Sequence, residues 1–342
     1  MYLDLMKLKK TFLIAEIGVN HDGKLKKAKR LIDVAKSAGA DAVKFQTFTA
    51  DKLANKNTKK VNYQKINTDK KENHYQMLKK LELSRDDTKK LFNYAKKIKI
   101  IFLSTPYDPD SAIFLDKIGV KIFKTASADL SDYILHKTLA KFNKQVIIST
   151  GMSNIIDIKK CLNNYKSKKK ISLLHCVSNY PCSAGSINLN VLDALKKEFK
   201  MPIGYSDHSL ENIASISAVA KGYKILERHL TLNKFQKGPD HKSSLDPKEF
   251  KEFIREIRLV EKVLGNSIKK CQPEEKEMKK ISSKSLYFNK DMSIGDKINE
   301  HDLLAKRPSG GISPSEIKKV INKRLWSNVK KGNQLSIKNF KK

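Results

Sequence analysis

Two histidines, two glutamates and two lysines of this chain stand at spacings that invite chemistry if their segments are strands. Glu227 and His229 are separated by one residue in the apolar run 223–230, and Lys44 and Gln46 likewise in the run 42–47. The two-residue period of a strand sets each pair on one face. Glu16 lies in the run 12–18, Lys124 in 121–126, Ser149 in 145–150, Ser178 at the end of 171–178, and Ser206 just before His208 at the end of 202–207. A lysine held in an apolar setting needs an anion beside it. Lys44 and Lys124, with Ser127, Ser149, Ser178 and Ser206 nearby, make a cradle for phosphate plus carboxylate. His208 and His229 can hold a divalent cation that keeps open positions for substrate oxygens. Taken singly, each has a plainer reading: a serine or lysine at a strand end commonly caps the next helix. Their coincidence at the ends of eight runs points to metal-assisted reaction of a small phosphorylated acid.

The elements that must position these groups follow a regular alternation. The eight short β-rich runs, 12–18, 42–47, 100–105, 121–126, 145–150, 171–178, 202–207 and 223–230, are each followed by a longer amphipathic, lysine-rich stretch. Strand alternating with helix predicts a parallel sheet, and eight units in about 265 residues predict an α/β fold of the (β/α)8 TIM-barrel type. Active sites of such barrels lie at the carboxyl ends of the strands, where the reactive residues collect. No GxGxxG follows the first run, which speaks against a dinucleotide fold. Some 35 residues separate Phe48 from the next long helix, a length that predicts a lid or small inserted element. The barrel is expected over 1–265 and a charged linker over 266–280. A small β-rich domain with a helix from Pro314 is expected over 281–342.

Composition narrows the function classes. The 342 residues carry a net charge of +34, yet only seven of the 70 basic side chains are arginines, and the lysines fall in scattered doublets. Arginine is the preferred reader of phosphates and base edges. A solvated basic coat is therefore expected, not a nucleic-acid surface. No apolar run approaches the roughly 20 residues of a membrane span. The opening residues 1–7 place apolar side chains before lysines, the reverse of a signal peptide. Four cysteines without a CxxC pair predict neither a disulfide framework nor a zinc knuckle. A cytoplasmic protein is expected.

Several motifs in register then resemble one family. Ile14-Ala-Glu-Ile-Gly-Val-Asn-His-Asp-Gly23, Ala40-Asp-Ala-Val-Lys-Phe-Gln-Thr-Phe48 and Phe102-Leu-Ser-Thr-Pro106 are similar to stretches of the sialic acid (nonulosonate) synthases. So are Ser149-Thr-Gly-Met152, Pro202-Ile-Gly-Tyr-Ser-Asp-His208 and Gly238-Pro-Asp-His-Lys242. Lys306-Arg-Pro-Ser-Gly-Gly-Ile312 resembles the antifreeze-protein-like SAF domain that ends those enzymes. The resemblance implies condensation of phosphoenolpyruvate with an N-acylated mannosamine-type sugar, giving a nine-carbon keto acid and phosphate. It implies Mn2+ or Mg2+ on His208 and His229, polarising the sugar aldehyde. It assigns Lys44, Lys124, Ser127, Ser149 and Ser206 to phosphoenolpyruvate, with Ser178 and Tyr180 helping. Glu16 and Glu227 would handle sugar hydroxyls and the water that adds, and Gln46 and Asp240 would face the sugar. Arg307 would reach the N-acyl group from the partner in a domain-swapped homodimer. N-acetylmannosamine, leading to N-acetylneuraminate, is the expected sugar. Ser178, Val177, the Cys182-Ser-Ala-Gly185 stretch and Ala128-Asp129 depart from the sialic-acid branch. The 6-phosphate (a 9-phosphate synthase) and the precursors of N,N'-diacetyllegionaminate or pseudaminate therefore stay open. A basic anion-binding protein is the alternative of another class.

Overall fold

Eight parallel strands close into a barrel in the order in which they occur along the chain. They are β1 (Phe12–Gly18), β2 (Ala42–Thr47), β3 (Ile101–Pro106), β4 (Ile122–Thr125), β5 (Gln145–Ser149), β6 (Ile171–His175), β7 (Ile203–Asp207) and β8 (Ile225–His229). The molecule is described here from a computed structural model over residues 4–340; the first three residues of the stretch weighed against a signal peptide, and the last two of the small domain, lie outside. The chain divides into two units, 1–265 and 266–342.

Strand alternation explains where a site can form. The inward residues low in the barrel are Phe12, Ile14, Ala42, Leu103, Ile122, Ile147, Leu174 and Ile225, which pack into one apolar floor. Two residues further along the same strands stand Glu16, Lys44, Lys124, Ser149 and Glu227, so the upper half of the lumen is polar and the lower half sealed. Outward residues such as Leu13, Val43, Phe45, Phe123 and Leu226 pack against the helices instead.

Crossover helices begin and end on local signals. Going along the chain they include α1 (Leu25–Ala38), which stops at Gly39 with φ +96°, a left-handed turn that glycine adopts without strain. The long gap after Phe48 holds three short helices, α2 (Ala50–Leu53), α3 (Asn62–Asn67) and α4 (His74–Leu81), so the expected inserted element is helical. Then come α5 (Arg85–Lys97), capped by Ser84, and α6 (Pro109–Ile118), capped by Asp108 with proline in its first turn. Next are α7 (Tyr133–Lys141), α8 (Ile155–Leu162), the single turn α9 (Ala184–Ile187), α10 (Val191–Phe199) and α11 (Ile213–Ala220). The long α12 (Pro247–Leu264) opens on an Asp246–Glu249 capping box.

In the second unit, α13 (Lys276–Ser282) occupies part of the stretch expected to be linker. β9 (Ser285–Phe288) pairs antiparallel with β10 (Leu303–Lys306) over a small core of Leu286, Phe288, Ile298, Val320, Leu325 and Leu335. The helix expected from Pro314 is six residues of 310 geometry, Pro314–Lys319. Among the described residues no helix is long and apolar enough to cross a membrane.

Candidate active site

At the mouth of the barrel four buried charges alternate in sign. Lys44 Nζ lies 2.9 Å from Glu16 Oε2 and 3.8 Å from Glu227 Oε2, and Lys124 Nζ lies 3.6 Å from Glu227 Oε1. All four side chains are at most 5% exposed. Strands β1, β2, β4 and β8 supply them, and Glu16 and Lys44 are Cα partners across β1 and β2. Burial opposes the charge on each, and the neighbours decide the outcome. For Lys44, Glu16 and Glu227 outweigh burial and hold the ammonium above its ordinary range. Burial wins at Lys124, whose proton is held less tightly than usual, and at Glu16, whose carboxyl is raised. Glu227 is stabilised as a carboxylate against its burial by Lys124 and Lys44, and Ser206 Oγ donates to its Oε1 at 2.9 Å. Two cations so deep, with Glu227 Oε2 between them making no hydrogen bond, are prepared for an anion and for proton traffic.

Hydroxyls line one side of this quartet. Lys124 Nζ donates to Ser149 Oγ. Ser127 Oγ accepts from Gly151 N at 3.0 Å and lies 3.1 Å from Cys176 Sγ. A Cβ on Gly151 would collide with Ser178 Oγ and stand 2.8 Å from Ser127 Oγ. Only glycine leaves that space between the two hydroxyls open. β6 ends at His175, so Ser178 and Tyr180 sit on the following loop and not, as expected for Ser178, on the strand. His175 itself turns outward, its Nε2 within 2.6 Å of Ile187 O, and takes no part in the site.

His208 and His229 stand side by side. The His208 and His229 rings lie 5.5 Å apart, with Tyr180 over both at 4.1 and 5.5 Å between centroids. His208 Nδ1 donates to Val177 O at 2.7 Å, which leaves its Nε2 as the acceptor, 3.4 Å from Ser206 Oγ. Burial pushes His208 down to about 4 and, with His208 beside it, His229 well below its ordinary value. Two neutral imidazoles whose ring nitrogens can accept suit a cation. Among the described residues no group of three or more His, Cys, Asp or Glu side chains gathers at metal spacing.

On the opposite side the wall is aromatic. Gln46 Nε2 donates to Glu16 Oε1 at 3.3 Å, beside a strand irregularity at Gly18. The Tyr63 ring of α3 packs 5.6 Å from Tyr180. Asn67 ties the insert to the β8 loop: its carbonyl accepts from Gly238 N at 3.0 Å and its amide donates to Pro239 O at 3.3 Å. Asp240 follows, raised to about 7 by burial and by Glu16. Its loop is held by Asn20, through Ser244, and by Asp22, which lies 3.1 Å from His241 Nε2.

Three groups here were given no role in the sequence reading. Asp129, raised to about 7 by burial and then by Asp132, keeps Oδ2 buried without a partner and faces Lys124. Burial and then Asp129, Glu16 and Asp240 hold the Tyr107 phenol well above its ordinary range. Tyr63 is the third. Asp129 and Tyr107 each stand next to a quoted motif, which was the available signal. Arg307 is exposed in the turn that follows β10 of the second unit.

The profile of the NeuB family matches residues 31–269, and that of the SAF domain matches 283–341. The chain is 42% identical over 327 residues to an N,N'-diacetyllegionaminic acid synthase of Campylobacter jejuni, covering 94% of this chain and 98% of the relative. A protein of the same name from Legionella pneumophila is 40% identical over 330 residues, with 95% and 93% covered. A crystal structure of N-acetylneuraminic acid synthetase from Leptospira borgpetersenii, in complex with citrate, superposes with a TM-score of 0.70 at 34% identity. It covers 79% of this chain and 90% of that one.

Proposed function

This chain belongs to the NeuB family of sialic-acid-type synthases, which are phosphoenolpyruvate-condensing transferases, and on that premise we propose that its sugar is a diacetamido-trideoxyhexose and its product N,N'-diacetyllegionaminate. The observation that carries the reaction is the Glu16–Lys44–Glu227–Lys124 quartet beneath the histidine pair. For the sugar, the two relatives shift the preference away from the N-acetylmannosamine expected from the resemblance.

The wall supports the same choice. Its phenols, Tyr63, Tyr107 and Tyr180, all feel the Asp240 carboxyl. Aromatic faces suit acetamido methyls and a deoxy carbon. A sugar 6-phosphate placed there would meet a carboxyl, while Lys60, the buried lysine of the insert, is already held by Thr68, Asp69 and Glu72.

In this reading Lys44 and Lys124, with Ser127, Ser149, Ser178 and Ser206, bind the phosphate and carboxylate of phosphoenolpyruvate. Binding that anion between the lysines also fixes its enol carbon over the open mouth. His208 and His229 would hold Mn2+ or Mg2+, which when bound supplies a Lewis acid for the sugar aldehyde. Glu227 stays ionised and orients the lysines, whereas Glu16, with its raised affinity for a proton, can accept one from water and pass it on. Gln46 and Asp240 would meet sugar hydroxyls.

A homodimer is part of the proposal. Tyr133, Ile134, Met152 and Ile156 follow the carboxyl ends of β4 and β5 and are 59–71% exposed, an apolar rim that a second copy would cover. Arg307 of that copy would reach the N-acyl group.

Incubating phosphoenolpyruvate with each candidate sugar and weighing the products by mass spectrometry tests this reading. Product from the diacetamido-trideoxyhexose, well above that from N-acetylmannosamine or its 6-phosphate, is expected. A preference for either of the others overturns the sugar assignment, and phosphate release without any sugar overturns the reaction.

A further inference from the structure

Behind the two histidines, on the outside of the barrel wall, lies an ion pair that the reaction does not use. Asp207 and Arg228 are Cα partners in the β7–β8 register, and Arg228 Nη1 is 2.6 Å from Asp207 Oδ2 with both side chains at most 1% exposed. The strand period turns this pair away from the lumen and toward the helices, where the guanidinium lies 6.0 Å from the Phe253 ring of α12. The residue after each is a site histidine, His208 after Asp207 and His229 after Arg228.

Stability alone accounts poorly for the pair. A buried ion pair is often replaceable by hydrophobic residues without loss, because desolvation offsets the attraction. This one also leaves Arg228 Nε and Nη2 buried with no partner. Asp207 in turn takes every donor within reach: Ser209 N at 2.9 Å, Ser209 Oγ at 2.7 Å, Ser215 Oγ at 2.6 Å and Tyr205 Oη at 3.3 Å. A carboxylate so fully bound is a fixed point, and Arg228 fastens β8 to it.

The two histidines are also held unequally. Both carbonyls are held, His208 O by Cys182 N at 3.0 Å and His229 O by Leu245 N at 2.9 Å, but only His208 has its Nδ1 on a partner, Val177 O. His229 Nδ1 is buried with no partner, so no side-chain hydrogen bond at that nitrogen orients its ring. Its ring has only the Tyr180 and His208 rings against it, and its backbone is set by its strand, whose neighbouring side chain is Arg228.

We infer that the Asp207–Arg228 pair is the positioning device for His229, setting β8 against β7 so that both imidazoles face one divalent cation. The inference rests on the histidine pair holding such a cation. Outer-shell partners of metal ligands commonly change affinity by about 10- to 100-fold when removed.

Mn2+ binding to the full chain, read by the loss of the free-ion electron paramagnetic resonance signal, tests it without any turnover. Arg228→Met keeps the volume and leaves Asp207 its other four donors. Weakening of the Mn2+ Kd by about 10- to 100-fold in that variant is the expected result. A purely structural role would lower Tm and leave the Kd of the folded protein within about twofold of the original, which overturns the inference. Should Arg228→Met fail to fold, Arg228→Gln decides by the same Kd comparison, since it can still donate to Asp207 without the charged fork. Absence of saturable binding in the unaltered protein, or equal binding by His208→Ala/His229→Ala, overturns the metal reading itself and the inference with it.

Discussion

Lys44 and Glu16 face each other across β1 and β2 as Cα partners, and their charged groups meet at 2.9 Å with almost no solvent. Neither could be buried alone; Lys44 is also held by Glu227, two strands away on β8, and Glu16 by Gln46 on β2, so the pair joins the barrel's stability to its chemistry. Lys44→Met leaves Glu16 and Glu227 short of a cation and should cost ~3–5 kcal/mol in unfolding free energy. Adding Glu16→Gln should restore most of the Tm, read by calorimetry, while phosphate release stays at least about 100-fold down in both variants. Recovery of activity along with Tm would show that the pair is structural only.

The raised Asp240 carboxyl gives a pH dependence whose sign can be worked out. Its folded value, about 7, lies above that of an unfolded aspartate. The stability it contributes is therefore complete at acid pH and is lost as pH rises toward and through 7. Asp240→Asn removes that loss, so the variant should gain Tm over the original protein at pH 8, with the gap closing as pH falls below 6. Catalysis should move the other way. The carboxylate forms only as pH passes about 7, so kcat/KM for the sugar should rise through that region and the rise should vanish in Asp240→Asn. Calorimetry and a pH–rate profile check the two halves separately.

Tyr63 reaches the site from the insert and not from a strand, and its ring contacts Tyr180 while Asn67 anchors the same short helix to the Asp240 loop. Tyr63→Ala should raise KM for the sugar by about 3- to 10-fold, the range of a lost aromatic contact. KM for phosphoenolpyruvate, whose proposed lysines Lys44 and Lys124 stand on strands, should change less than twofold. Equal changes in both constants would place Tyr63 outside the sugar subsite.

How much of this was legible in the sequence follows from the range of the interactions. A two-residue period is local, so the strands, the apolar floor and the inward set Glu16, Lys44, Lys124, Ser149, Ser206, Glu227 and His229 could be read from it. The same parity rule shows why His175 belongs outside: it is one residue out of step with Leu174 and Cys176. Hidden from local pattern were contacts made by chain folding back, such as Asn67 on Pro239, or Asp207 on Ser215 and Arg228. The insert helices were obscured by their shortness, since four to eight residues give too few turns for a 3.6-residue pattern to show. Asp129 was visible as a residue, but its raised carboxyl depends on burial, which a sequence does not display.

The second unit brings the last prediction, because Arg307 is exposed in a turn of its own small domain and its proposed role requires a second chain. Arg307→Ala should raise the KM of the sugar, and Lys124→Met should abolish turnover. If each barrel is completed by the other subunit, mixing the two inactive or impaired chains under exchange restores one full site in each heterodimer: an intact barrel from the Arg307 variant, an intact Arg307 from the Lys124 variant. With random pairing in a two-fold assembly, activity at low sugar concentration should return to about a quarter of the original. If Arg307 serves its own barrel instead, no heterodimer contains a complete site and the mixture gains nothing over its components. Steady-state assays before and after mixing separate the two cases, and size-exclusion chromatography of each variant confirms that the pairing itself is intact.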